Sequence, residues 1–204
     1  MRGKSYQEGF FDTAKLQISD EQIVYENIEA DSVIFCDGFG AKSNPFFNWL
    51  PIRALKGETL SVTLSKNPDF ILNRGIYLSP SAKNTFTIGA TYKPNESTPG
   101  ITAEGRAELE DKASKLLKMK FEIHHHNWGI RPTTHDRRPI LGAHPAHKNI
   151  LIFNGLGTKG VSLAPYFSRI MATHLISKLK IPTEVNIERF KALYSNLSSD
   201  SNSL

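Results

Sequence analysis

Asn149-Ile-Leu-Ile-Phe-Asn-Gly-Leu-Gly-Thr-Lys-Gly-Val-Ser-Leu-Ala-Pro165 is the stretch that decides how this chain is read. An apolar run of strand character meets three glycines, Gly155, Gly157 and Gly160, and helical spacing begins at about Ser162. A strand, a glycine turn and a helix in that order aim backbone N–H groups and a positive helix end at one point. Such a point is a seat for an anion or for developing negative charge. Thr158, Lys159 and Ser162 add side-chain donors. The competing reading is a plain βα turn, but three glycines in six residues exceed what a turn needs.

Working outward, Leu163, Phe167, Ile170, Met171 and Leu175 give the following helix, Ser162 to Lys178, one apolar face, with Pro165 tolerable only in its first turn. A second helix is predicted over Thr102 to Lys118, acidic early and basic late, with Ala103, Ala107, Ala113, Leu116 and Leu117 as its stripe. Strands are predicted at Phe11–Ile18, Gln22–Ile28, Leu60–Leu64, Phe70–Leu72, Gly75–Ser79, Thr85–Ala90 and Glu122–Trp128. Ser32 to Cys36 is an unbroken apolar run, expected to be a strand covered on both faces, and it ends at Asp37-Gly38. A short helix, Ile187 to Tyr194, closes a mixed α/β fold with much antiparallel sheet. The Ser- and Asn-rich tail, residues 195–204, is expected to lack order.

Trp128-Gly-Ile-Arg131-Pro-Thr-Thr-His-Asp136 is the second segment with chemical content. Arg131 precedes a proline that restricts its backbone, so its guanidinium is held in a defined place, suited to bidentate recognition of a carboxylate. An internal pair with Asp136 is the alternative. His124-His125-His126 is not read as a metal site, because consecutive strand residues point to opposite faces. Cys36, the one cysteine, is read as a small buried hydrophobe, and cysteine usage suits a reducing cytosol.

The 204 residues carry a net charge of +5, with 39% hydrophobic and 22% charged residues, the profile of an ordinary globular protein. No run of 18 apolar residues exists, so no transmembrane helix is expected, and no apolar core follows Met1-Arg2-Gly3-Lys4 as a secretory signal requires. The basic residues do not alternate with aromatics as a single-strand-binding surface needs, so a nucleic-acid partner is not expected.

Taken together these segments resemble the later part of FAD-dependent amino-acid and amine oxidoreductases, the family of D-amino-acid oxidase, glycine oxidase and sarcosine oxidase. Ala30-Asp31-Ser-Val-Ile-Phe-Cys-Asp37-Gly38 is similar to the family's second flavin-domain strand. Leu55-Lys-Gly-Glu58 resembles the start of its substrate-side sheet. Ile76-Tyr77-Leu-Ser-Pro80 and Phe86-Thr-Ile-Gly89-Ala-Thr91 resemble its hairpin. Gly-Ile-Arg131-Pro, Pro139-Ile-Leu-Gly142 and Gly155-Leu-Gly157-Thr-Lys-Gly160 resemble its final segments.

The resemblance implies FAD as cofactor, a small amino-acid or amine substrate, and hydride transfer from the C–H beside the amine to flavin. It implies that Gly38, Gly155, Gly157, Thr158, Lys159, Gly160, Val161 and Ser162 bind the cofactor. Arg131, with Tyr77 and Tyr92, would bind substrate. Residues 1–54 and 127–194 would form part of an FAD-binding domain, and 55–126 the substrate-binding sheet and helix.

The family's opening Gly-x-Gly-x-x-Gly, which binds the FAD pyrophosphate, has no counterpart before Phe11. The chain therefore reads as a fragment impaired when alone, expected to self-associate or to take a partner supplying the rest. Two alternatives stand beside this reading. One is oxidation of a carboxymethylaminomethyl-uridine in tRNA, since the glycine loop also resembles that enzyme. The other is a non-catalytic interaction module.

Overall fold

The computed structural model of the protein describes residues 6–19 and 21–200, with side chains up to residue 196. The chain forms two compact units. One comprises Met1–Leu50, Pro139–Asn154 and Pro165–Leu204; the other comprises Pro51–Arg138 and Gly155–Ala164. Residues 127–138 and 155–164 thus belong with the large sheet, where the sequence had suggested a boundary at 126/127.

The first unit opens with an antiparallel sheet of β1 (Leu16–Ile18), β2 (Ile23–Tyr25) and β3 (Ile28–Ala30). Next comes β4 (Val33–Phe35), from the run Ser32 to Cys36. The expectation of cover on both faces fails here. Val33 and Ile34 are half-buried, β4 is an edge strand, and Cys36 beyond it is exposed rather than buried.

The second unit is built on β5 (Ile52–Leu64), followed by β6 (Leu72–Asn73), β7 (Tyr77–Ala82), β8 (Thr85–Gly89) and β9 (Lys93–Pro94). Helix α1 (Ala103–Leu116) and strand β10 (Phe121–Thr134) complete it. The sheet runs β10-β5-β8-β7-β6, with β9 also on β5. Strands β5 and β10 pair from Ile52↔Thr134 to Leu64↔Phe121, with one bulge at Ile123/His125. Both outrun their predicted lengths. Strand β10 runs past its predicted end at Trp128 and through Pro132, whose missing N–H is tolerated because β10 is an edge strand.

Alternation sorts the sheet into two faces. Leu60, Val62, Leu78, Phe86 and Ile88 pack on Leu109, Ala113 and Leu117 of the α1 segment. The predicted α1 stripe was displaced: Gly105, Leu109 and Ala113 are buried, while Ala103 and Ala107 face solvent.

On that α1 face lies a buried charge cluster. Lys56 and Glu58 are each 2% exposed, with Lys56 Nζ 3.9 Å from Glu58 Oε1. Thr102 donates to Glu58 through its N–H (3.0 Å) and its hydroxyl (2.8 Å), and His126 Nε2 lies 2.8 Å from Glu58 Oε2. Burial alone would raise the Glu58 carboxyl, but the Thr102 hydrogen bonds, then the His126 and Lys56 charges, hold it below the usual carboxylate value. Thr102 is also the N-cap of α1, accepting from the Gly105 N–H. His124 and His125 are exposed while His126 turns inward, so the triplet splits between faces, and no metal-binding cluster occurs among the described residues.

The chain returns to the first unit with β11 (Ile140–His144) and β12 (His147–Asn154), in sheet order β11-β12-β4, β12 and β4 being parallel. The predicted face of α2 (Gly160–Ser177) packs there: Met171 with Phe167, Ile170 and Leu175 covers Leu141 and Leu151. The helix begins earlier than expected, so Pro165 lies in its second turn and one i→i−4 hydrogen bond is absent. Helix α3 (Lys191–Asp200) extends through Ser195–Asp200, where composition had suggested no order; 201–204 lie outside the described residues.

At the β11–β12 hairpin the His144 ring stacks on His147 (centroids 5.1 Å apart) and meets Phe47, Trp49 and Tyr194 edge-on at 5.7, 6.4 and 5.0 Å. Burial, then the neighbouring His147, lowers the His144 pKa to about 4, and its Nδ1 accepts the Ala146 N–H.

Two predictions follow from these packed polar groups. Glu58→Ala leaves Lys56 buried without its carboxylate and is expected to cost about 3–5 kcal/mol. Thr102→Ala should cost nearer ~1 kcal/mol; urea denaturation of both variants measures the difference. The fold holds His144 neutral, so the contribution of this residue is complete above pH 6.5 and is lost as pH falls toward 4. His144→Phe should therefore flatten the fall in urea midpoint between about pH 7 and pH 5.

Candidate functional site

The face of the large sheet opposite α1 is polar and floored by short residues. Register places Arg131 beside Leu55, Gly129 opposite Gly57 and Asn127 opposite Thr59. Thr59 pairs with Gly89, and Gly89 with Tyr77. Alternation brings the side chains of Arg131, Asn127, Thr59 and Tyr77 to this one face.

The Arg131 guanidinium lies over Gly57, and the Tyr77 ring over Gly89. A Cβ built on Gly57 would stand 2.6 Å from Arg131 Cζ; one built on Gly89 would stand 2.9 Å from the Tyr77 hydroxyl. Arg131 Nη1 is buried and has no hydrogen-bond partner in the protein. A buried guanidinium N–H without an acceptor is costly, and a bound carboxylate would relieve that cost.

The glycine loop packs on the end of β10 in the same unit. Gly155 (φ 73°) and Gly157 (φ 56°) adopt left-handed backbone that other residues rarely take. A Cβ on Gly157 would touch Thr133 at 3.4 Å. A 3₁₀ turn, Gly157–Lys159, then leads into α2, whose first turn carries N–H groups that the helix does not consume.

Beside the loop is a cleft of about 430 Å³ lined by Arg53, Tyr92, Asn95, Arg137 and Gly155 to Lys159, with no carboxylate in its lining. Glycines, helix amides and cations without a countering acid suit a group that carries or acquires negative charge. On that observation the loop fits an electron-accepting ring.

The predicted residues are thus only partly brought together. Gly155, Gly157, Thr158, Lys159 and Tyr92 share the cleft. Arg131 and Tyr77 share the sheet face. Gly160 starts α2, and Val161 and Ser162 are exposed in its first turn. Gly38 belongs to the first unit (φ 59°), where its carbonyl accepts from Asn154 Nδ2 at 2.8 Å. Arg131 does not follow a strand, as expected, but lies inside β10. Sequence reading missed Gly57 and Gly89 as a floor; a glycine inside a strand is the signal that marks close approach.

Residues 10–174 match the family model described as DAO, FAD dependent oxidoreductase. A glycine oxidase of Bacillus licheniformis is 34% identical over 148 residues, which are 68% of this chain and 38% of that protein. A tRNA 5-methylaminomethyl-2-thiouridine biosynthesis bifunctional protein of Idiomarina loihiensis is 26% identical, over 71% of this chain and 25% of its own length. The crystal structure of iminodiacetate oxidase from a Chelativorans species superposes with a TM-score of 0.70 at 22% identity, covering 83% of this chain and 50% of that one. The chain shares its fold with part of that oxidase, and it spans half or less of each of these proteins.

A residue kept for a ligand and not for the fold has a stability signature. Arg131→Leu removes a buried, unpartnered N–H and is expected to leave the melting temperature unchanged or raise it, by up to about 1 kcal/mol of stability. A fall of several degrees in a thermal melt would assign Arg131 to the fold instead.

Proposed function

The chain belongs to the DAO family of FAD-dependent oxidoreductases, and from that premise we propose that it is the part of an amine- or amino-acid-oxidising flavoenzyme that seats the substrate and faces the flavin ring. The observation that carries this reading is the buried, unpartnered Nη1 of Arg131 on a glycine-floored polar face.

Arg131 binds the carboxylate of a small amino acid, fixing the orientation of the carbon that bears the amine. Tyr77, on the same sheet face as Arg131, walls the substrate pocket and donates a hydroxyl hydrogen bond, while Tyr92 stands in the cleft beside the glycine loop. The bound FAD supplies the hydride acceptor. Gly155, Gly157, Thr158, Lys159 and the first turn of α2 (Gly160, Val161, Ser162) hold it and balance negative charge with N–H groups and the Lys159 cation.

The glycine oxidase match supports a small α-amino acid over other amines. Exposed apolar side chains on the first unit, Phe10 (91%), Ile176 (83%) and Leu179 (60%), support self-association or a partner polypeptide. No helix among the described residues is long and apolar enough to cross a membrane; a cytoplasmic location is part of the proposal.

A second reading draws on the cations of the cleft, Arg53, Arg137 and Lys159. It is action on a modified tRNA nucleoside, and the Idiomarina relative supports it.

Flavin titration tests the proposal. The chain alone should bind FAD weakly, and a co-expressed polypeptide carrying a Gly-x-Gly-x-x-Gly unit should raise binding to one per chain. Glycine or sarcosine should then bleach the flavin absorbance under anaerobic conditions, and Arg131→Ala should raise the half-saturating substrate concentration at least ~100-fold. Tight stoichiometric binding by the chain alone would refute its impairment. Full flavin loading without bleaching would point to a non-catalytic module. Substrate binding by tRNA that weakens steeply with salt would favour the second reading.

A further inference from the structure

We infer that Gly57 is the positioning residue for Arg131: the missing side chain at position 57 is the space in which the guanidinium lies flat on β5, and this placement makes Arg131 a carboxylate receptor. The carboxylate part rests on the function proposed above; the placement does not.

Gly57 has no backbone reason to be glycine. Its φ lies outside the left-handed region, unlike those of Gly155 and Gly157. It sits in mid-strand, where glycine weakens a sheet and a β-branched residue would strengthen it. A local rule broken inside a long strand marks a position where something other than stability decides the residue.

A Cβ at this position would stand 2.5 Å from Arg131 Nη2 and 2.6 Å from Cζ, and closer still to Nη1. Three atoms of one guanidinium therefore fill the volume that any other residue would occupy, and no backbone atom is among these nearest neighbours. Gly129, directly opposite on β10, has nothing within 4 Å of its Cβ position. The two cross-strand glycines thus differ: one is covered by Arg131, and the other borders open space beside it.

The strand at Gly57 cannot yield easily, because Lys56 and Glu58 on either side are buried on the α1 face, with Glu58 tied to Thr102. A methyl group at 57 would therefore displace the flexible guanidinium, not β5. The displaced Arg131 would leave the strand surface and take Nη1 out of its buried position.

The test compares Gly57→Ala with Gly129→Ala in the full chain. Arg131 reactivity toward phenylglyoxal is measured by peptide mass spectrometry, with exposed Arg74 as internal reference and sodium acetate as the carboxylate probe. Wild-type Arg131 should react slowly and be protected by acetate. Gly57→Ala should raise its rate about tenfold and abolish acetate protection, with little change in melting temperature, because the group's local protection and not global stability is lost. Gly129→Ala should leave the rate unchanged.

Equal Arg131 rates in wild type and Gly57→Ala, or an equal rise in Gly129→Ala, would overturn the inference. If wild-type Arg131 is slow but not protected by acetate, the carboxylate role falls, while the rate difference between the two variants still decides the role of Gly57. If Gly57→Ala fails to fold, the inference is also overturned, since it requires the side chain and not the strand to move.

Discussion

Successive residues of β5 must point to opposite faces of the sheet, and the second unit is organised by that constraint. Lys56 and Glu58 go to the α1 side, where Glu58 caps the helix start through Thr102; Gly57 between them goes to the other side and lies beneath Arg131. One tripeptide therefore anchors the helix to the sheet and makes room for the group with the clearest chemical purpose. A register slip of one residue would send the charges to the polar face and the glycine to the core, so the full-length pairing of β5 with β10 is strongly specified.

Two kinds of buried charge occur in this unit. In the Lys56–Glu58–His126 cluster the Glu58 carboxylate is held by opposite charge and by the two Thr102 hydrogen bonds, and His126 Nε2, which makes no hydrogen bond, still lies 2.8 Å from that carboxylate. Arg131 has a buried N–H with no protein acceptor. Its cost is carried by the rest of the fold, and a free donor aimed at a polar face is the feature that distinguishes a binding group from a structural one.

Much of the architecture was legible in the sequence because local signals agreed with tertiary ones. The apolar run at Asn149–Phe153 and the α2 face of Phe167, Ile170, Met171 and Leu175 appear as read. The misreadings share a cause, which is that burial depends on what lies across from a segment. Val33 and Ile34 have the composition of a central strand but stand at a sheet edge. Strand β10 runs beyond the predicted Trp128 and through Pro132, which an edge strand tolerates. Ser195–Asp200 is polar yet continues a helix already begun at Lys191.

By itself the sequence determined the mixed α/β class, the glycine loop ahead of α2 and the candidacy of Arg131. Those depend on local backbone freedom, hydrophobic period and side-chain chemistry, all of which are properties of neighbouring residues. Only the tertiary structure decided that Gly57 lies under Arg131, that Glu58 closes the start of α1, and that Tyr77 and Arg131 share a face. Each of these joins residues 44 to 74 positions apart, and only strand register and helix packing, which no local pattern encodes, bring them together.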